Sequence, residues 1–138
     1  MTGLVVDNSV VMSWAFDDAT SEYADAVLDS LTSHTATVPE VWPLEVVNVL
    51  AVAERRGRLT ESDGLRFLAL IKTLPIEVAH ETGKHSMAEL LGFCREYGLS
   101  AYDASYLRVA IQHGLPLATE DRALRTAAGK AGLSIWHA

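Results

Sequence analysis

The chain has 138 residues, 49% hydrophobic and 21% charged, with one cysteine and a net charge of −7. That length suits one domain able to bury roughly 68% of its unfolded surface, so neither a disulfide nor a structural metal is needed for a core. The balance of 11 basic against 18 acidic residues argues against a passive nucleic-acid binder built on a basic face.

In chain order, Leu4 to Asp7 reads as a short buried strand. Asp7 interrupts the apolar run and no basic region precedes it, so the segment is expected to be a strand rather than a signal peptide. Ser9 to Phe16 reads as a turn of helix. Ser21 to Leu31 reads as a helix with Tyr23, Val27, Leu28 and Leu31 on one stripe and Glu22, Asp25 and Asp29 in water. Thr35 to Val38 is β-rich and ends at Pro39. From Pro43, suited to a first helical position, a helix runs to Arg56 and stops at Gly57. The longest apolar stretch, Val41 to Ala53, carries Glu45 and falls short of the about 20 residues that a membrane span needs, so a cytoplasmic protein without membrane contact is expected.

Thr60-x-x-Asp63 resembles a capping box, with Asp in place of Glu, opening a helix through Thr73. Ile76 to Val78 follows Pro75 as a brief strand. Helices are expected from Ser86 to Tyr97, closed by Gly98, and from Ala101 to His113, closed by Gly114. Leu115 to Ala118 reads as a strand, Glu120 to Ala131 as a helix ended by Gly132, and Leu133 to Trp136 as a final strand. The single cysteine, Cys94, lies in the apolar run Leu90-Leu91-Gly92-Phe93-Cys94 and reads as a buried, inert thiol.

Short apolar strands alternating with helices imply an α/β domain, residues 1–138, with a mostly parallel sheet covered on both faces. Ligands of such open sheets sit beyond the carboxyl ends of the strands. Four acids stand out against that expectation. Asp7 directly follows Leu4-Val5-Val6; its alternative role is a turn aspartate binding nearby backbone. Glu45 shares a helical stripe with Val49, Val52 and Ala53, although the positive helix end alone could retain it. Asp103 shares a face with Tyr106, Leu107, Ala110 and Ile111, where a lone carboxylate would lose several kcal/mol of hydration. Asp121 follows the Leu115-to-Ala118 strand; a carboxylate in a first helical turn is commonplace, and Glu120 competes with it.

All four can converge at one edge of a parallel sheet. Carboxylates that close repel by about 4 kcal/mol per pair at an effective dielectric of 20, and a hard divalent cation resolves this. Oxygen-only ligands select Mg²⁺, with Mn²⁺ able to substitute, over zinc. His34, His80, His85, His113 and His137 show no paired ligand spacing, which argues against a zinc site. If the four carboxylates bound two such ions, the net charge of −7 would become −3, so acidity weighs less against a metal-dependent nuclease than against a binding module.

At these residues the chain resembles PIN domains, specifically the VapC toxins of VapBC toxin–antitoxin pairs, over nearly its whole length. Val5-Val6-Asp7-Asn8-Ser9-Val10 resembles the family's opening strand and D-x-S motif. Pro43-Leu44-Glu45-Val46-Val47-Asn48-Val49-Leu50 is similar to its E-x-x-N-x-L helix, and the ending Arg55-Arg56-Gly57-Arg58-Leu59 is also typical. The most specific match is Ser100-Ala101-Tyr102-Asp103-Ala104-Ser105-Tyr106-Leu107. Pro116-Leu117-Ala118-Thr119-Glu120-Asp121-Arg122-Ala123-Leu124 resembles the closing T-x-D-x-x-L segment.

The resemblance implies a three-layer α/β/α fold around a four- to five-stranded mostly parallel sheet, usually dimeric. It makes Asp7, Glu45, Asp103 and Asp121 metal ligands, directly or through water, with Ser9, Thr119 and Asn48 in support. It implies Mg²⁺-dependent endoribonuclease activity on RNA and a VapB-like antitoxin as partner. RNA contacts would fall to local basic groups among Arg55, Arg56, Arg58, Arg108, Arg122 and Arg125. Alternatives are a non-toxin PIN nuclease and a non-catalytic interaction module whose acidic pocket receives a partner's arginine. An aspartyl-nucleophile phosphatase would need a second Asp where this chain has Ser9, and a receiver domain an acidic pair at the end of the first strand.

Overall fold

The computed structural model describes residues 3–80 and 87–138. Among them, four strands, β1 (Gly3–Val6), β2 (Thr35–Val38), β3 (Ile76–Val78) and β4 (Leu117–Ala118), form one sheet. All pairings are parallel, in the order β3-β2-β1-β4, with Leu4 opposite Ala36 and Val5 opposite Leu117. Leu4, Val5 and Val6 are fully buried. A central strand covered on both faces has no wet side, which is why its sequence is an unbroken apolar run rather than an alternation.

The helices are α1 (Asn8–Ser13), α2 (Glu22–Ser30), α3 (Trp42–Arg55), α4 (Glu61–Lys72), α5 (Met87–Tyr97), α6 (Ala101–His113) and α7 (Arg122–Lys130). From β1 to β2 to β3 the chain moves in one direction across the sheet, and from β3 to β4 it returns past β1. Right-handed crossovers therefore place α1 to α4 on one face and α5 to α7 on the other, giving three layers. The connection leaving β1 and the one entering β4 run on opposite faces of the sheet, so the crevice beyond β1 and β4 is the topological switch point where open sheets bind ligands.

Local signals account for most element ends. Asp63 N–H donates to Thr60 Oγ1 at 3.1 Å and Thr60 N–H to Asp63 Oδ2 at 3.2 Å, completing the capping box of α4. At the end of α3, Gly57 has φ +74°, Arg58 N–H donates to Ala53 O and Gly57 N–H to Glu54 O. This is the paired closure that a left-handed residue permits, and it is the reason for glycine there.

Several boundaries differ from the sequence reading. The first helix is shorter than Ser9 to Phe16: α1 ends at Ser13, and a 3₁₀ turn, Asp17–Ala19, follows. The last strand shrinks to a single parallel bridge, Leu117 with Ile135, because β4 is only two residues long and offers little edge to extend. The last helix starts at Arg122 rather than Glu120, since Asp121 acts as its N-cap. Ser86, the expected start of the fifth helix, lies outside the described residues, as does His85. Cys94 is half-buried on α5. No described helix is long and apolar enough to cross a membrane.

Candidate active site

Asp7 is only 5% exposed and stands where β1 ends. Its N–H still donates to Ala118 O at 2.9 Å, so the end of the strand is held by the sheet. Although it occupies the N-cap of α1, its carboxylate makes no capping bond. Instead Oδ2 accepts from Ser9 Oγ at 2.6 Å and Thr119 Oγ1 at 2.9 Å. Burial raises the pKa of this carboxyl above its ordinary value; the two hydroxyls pull it back and the charge of Asp121 pushes it further up.

Thr119, fully buried just beyond β4, joins two acids. Its hydroxyl donates to Asp7 and accepts from Asp121 N–H at 3.0 Å, while its carbonyl accepts from Arg125 Nε at 2.6 Å. Asp121 in turn caps α7, Oδ1 accepting from Leu124 N–H at 2.9 Å. Thr119→Val keeps the shape but leaves Asp121 N–H without its acceptor and Asp7 with one donor fewer. The expected cost is about 2 kcal/mol, read as a fall in melting temperature; a variant as stable as the parent would show the hydroxyl to be dispensable.

Glu45 lies in the first turn of α3 and is half-buried. The buried face of α3 is Trp42, Val46, Leu50 and Ala53, and Glu45 shares the half-buried margin of that face with Val49 and Val52. Its Oε1 accepts from Tyr106 OH at 2.7 Å, a bond that links α3 to α6. Burial raises the Glu45 pKa, the Tyr106 bond lowers it, and the charge of Asp7 raises it. Burial and the neighbouring Glu45 push the Tyr106 phenol far upward, so it remains a donor. Asn48, one turn on from Glu45, is exposed.

Asp103 is half-buried directly before seven consecutive buried residues, Ala104 through Ala110. A helix buried on all sides explains why an acid looks misplaced there. Burial, then the charges of Asp7, Asp121 and Glu45, push its carboxyl up to about 6. Asp103 thus feels each of the other three predicted acids, which come from the ends of β1 and β4 and from the start of α3. Among the described residues no three acidic, His or Cys side chains already form a closed metal-ligand set.

These shifts carry a pH prediction for the metal-free protein. Asp7, Glu45 and Asp103 all hold their protons to higher pH when folded than when unfolded. The folded state therefore binds more protons on acidification through about pH 6, and stability rises as pH falls from 7 to 5. After allowance for solvent screening, the gain is roughly 1 kcal/mol. Thermal melts in chelator at the two pH values check the sign: an equal or lower melting temperature at pH 5 contradicts it.

Other sequence expectations resolve individually. Glu120, the acid competing with Asp121, is exposed and accepts from Ser21 Oγ at 2.8 Å. Arg108, counted among basic groups available to RNA, is only 5% exposed, a consequence of the all-round burial of α6. Arg58 pairs with Asp18 at 3.1 Å and lies 4.2 Å over the Phe16 ring. Tyr106 was legible only as a core residue on the Asp103 face. The available signal was that a buried phenol needs a hydrogen-bond partner, and an acid on another apolar helix could supply one.

No curated protein sequence matches the chain significantly. Among solved structures, PAE2754 from Pyrobaculum aerophilum is similar at 26% identity, with 91% of this chain and 86% of that one covered and a TM-score of 0.68. VapBC2 from Rickettsia felis, solved bound to a DNA fragment from its promoter, shares the fold at 12% identity, 98% coverage of both chains and a TM-score of 0.70. VapC20 of Mycobacterium tuberculosis, described as a sarcin–ricin loop cleaving toxin, shares it at 15% identity, covering 90% of this chain and 94% of that one, with a TM-score of 0.58. The sequence profile of the PIN domain matches residues 4–130. With a fold like that of the VapC proteins and a profile match over nearly its whole length, the chain belongs to the PIN-domain family of nucleases.

Proposed function

We propose that the protein is a Mg²⁺-dependent endoribonuclease and the toxin of a type II toxin–antitoxin pair, with Asp7, Glu45, Asp103 and Asp121 holding the metal. The observation that supports this reading is the electrostatic coupling of Asp103 on α6 to Asp7, Asp121 and Glu45, which stand at the ends of β1 and β4 and the start of α3. The donor set fits a hard cation: it is all oxygen, and its mutual repulsion is what a divalent charge would offset. A cation would have to draw these carboxylates together, since they do not form a closed ligand set as they stand.

Bound there, Mg²⁺ would supply a coordinated water of lowered pKa and positive charge against the phosphate. The residues do the positioning. Ser9 and Thr119 fix Asp7 through Oδ2. The Thr119–Asp121 link ties the α7 cap to the same point. Asp103, with its carboxyl pushed up to about 6, is mostly ionised at neutral pH, and a bound cation would keep it ionised as the pH falls. Mn²⁺ would serve in place of Mg²⁺.

We further propose a homodimer, as the family resemblance implies, and an antitoxin that presents an arginine or lysine to the carboxylates, since a guanidinium can replace the cation's charge through two hydrogen bonds. Of the aromatic residues considered for such a partner, half-buried Trp14 lines a surface cleft of about 540 Å³ with Arg58, Phe67 and Leu70, and Phe16 at its wall is buried. Trp42 is buried in α3.

The function is tested with the purified protein and an internally labelled RNA beside DNA of the same sequence. Internal cutting of the RNA alone, in Mg²⁺, is expected, together with growth arrest on expression without the antitoxin that Asp7→Asn relieves. RNA left intact in Mg²⁺ overturns the nuclease reading. Cleavage without growth arrest retains the nuclease and removes the toxin.

A further inference from the structure

We infer that Tyr106 is a positioning residue that ties the Glu45 carboxylate in place through one oxygen; only its consequence for cation binding rests on the function proposed above. Glutamate has three side-chain torsions and considerable rotamer freedom. Glu45 sits at a half-exposed helix margin, and Asp7 and Asp103 both share its electrostatic surroundings. Like charges favour rotation of such a side chain outward into water. Among the described residues one side-chain hydrogen bond opposes this, the 2.7 Å bond from Tyr106 OH to Oε1, made across 61 residues of sequence.

Tyr106 is suited to the task because it is itself immobile. It is 1% exposed within the fully buried run of α6, three residues after Asp103. A ring packed at interior density sits in one rotamer, so its hydroxyl marks a fixed point. The bond takes Oε1 and leaves Oε2 without that donor. Because Asp103 and Tyr106 ride on the same helix, the tether also sets Glu45 relative to Asp103. The opposing explanation is that Glu45 merely satisfies a buried phenol, in which case the hydroxyl matters to the core and not to the carboxylate.

Tyr106→Phe separates the two, since it keeps the ring and its packing. Two readouts on the full chain are needed: the Glu45 γ-methylene protons by NMR without metal, and Mn²⁺ affinity by water-proton relaxation. A fixed glutamate shows two separate γ-proton shifts, and a rotating one shows merged shifts. The expected result for Tyr106→Phe is merged shifts and about tenfold weaker Mn²⁺ binding, in the range seen when a partner of a metal ligand is removed. Glu45→Gln is the companion variant, because its amide oxygen still accepts from Tyr106; it should weaken Mn²⁺ binding while the substituted side chain keeps separate γ-proton shifts. Separate shifts retained in Tyr106→Phe overturn the tether, and merged shifts with Mn²⁺ affinity equal to that of the parent overturn its consequence for cation binding. If the parent binds no Mn²⁺ yet the variant's Glu45 shifts merge, the tether stands and the metal reading fails.

Discussion

Asp103→Asn is expected to reduce RNA cleavage by at least about a thousandfold and to raise the melting temperature of the metal-free protein. Both effects come from one charge. Asp7, Asp121 and Glu45 all act on Asp103, and its carboxyl is pushed up to about 6. Removing the charge relieves that repulsion, by about 1 kcal/mol once the half-exposure of Asp103 is allowed for. For a domain of this size that corresponds to roughly 3–5 °C. The amide, however, is a poor ligand for a hard cation, so catalysis is lost while the fold is retained. The same variant should show a smaller stability gain between pH 7 and pH 5, because its main titrating group is gone. Cleavage and melting temperature are measured on one preparation. Near-normal cleavage removes Asp103 from the site, and an unchanged melting temperature removes the crowding.

Chelation is expected to take cleavage to background, with recovery on addition of Mg²⁺ or Mn²⁺. The cation should also stabilise the protein, because the carboxylates converge only when it is folded. At a hundredfold excess over Kd the stabilisation is about 2.7 kcal/mol, roughly 10 °C in melting temperature. The gain should shrink as pH falls below about 6, where protons compete for Asp103. Full activity in excess chelator contradicts the mechanism outright.

The parts of this protein that were legible in its sequence are those fixed by short-range chemistry. Leu4-Val5-Val6 declares a doubly covered strand, Thr60 and Asp63 a helix start, and Gly57 a helix stop; the structure has each. The acids were visible because charge on an apolar strand end or helix face is anomalous, and Asp103, before seven buried residues, is the clearest case. What escaped depends on contacts between distant segments. Tyr106 and Glu45 are 61 residues apart, and nothing local marks a phenol that will meet a carboxylate. Ser21 and Glu120, 99 apart, are the same kind of pair. Arg108 was misplaced at the surface because a charged residue on a helix is ordinarily solvated, whereas α6 is buried all round. The final strand failed for a related reason: its pairing is decided by the two residues of β4 and not by its own apolar sequence.

The central claim is that the four carboxylates form one metal centre, and locating a bound ion tests it most directly. Crystals grown with Mn²⁺, measured at a wavelength where manganese scatters anomalously, would show the ion's position independently of any activity. The expected result is an anomalous peak at the switch point beyond β1 and β4, about 2.0–2.3 Å from carboxylate oxygens of Asp7 and Asp103 and within one water of Glu45 and Asp121. It should be absent from crystals of Asp103→Asn grown at the same Mn²⁺ concentration. A peak elsewhere on the protein, with none at Asp7 and Asp103, would contradict the account.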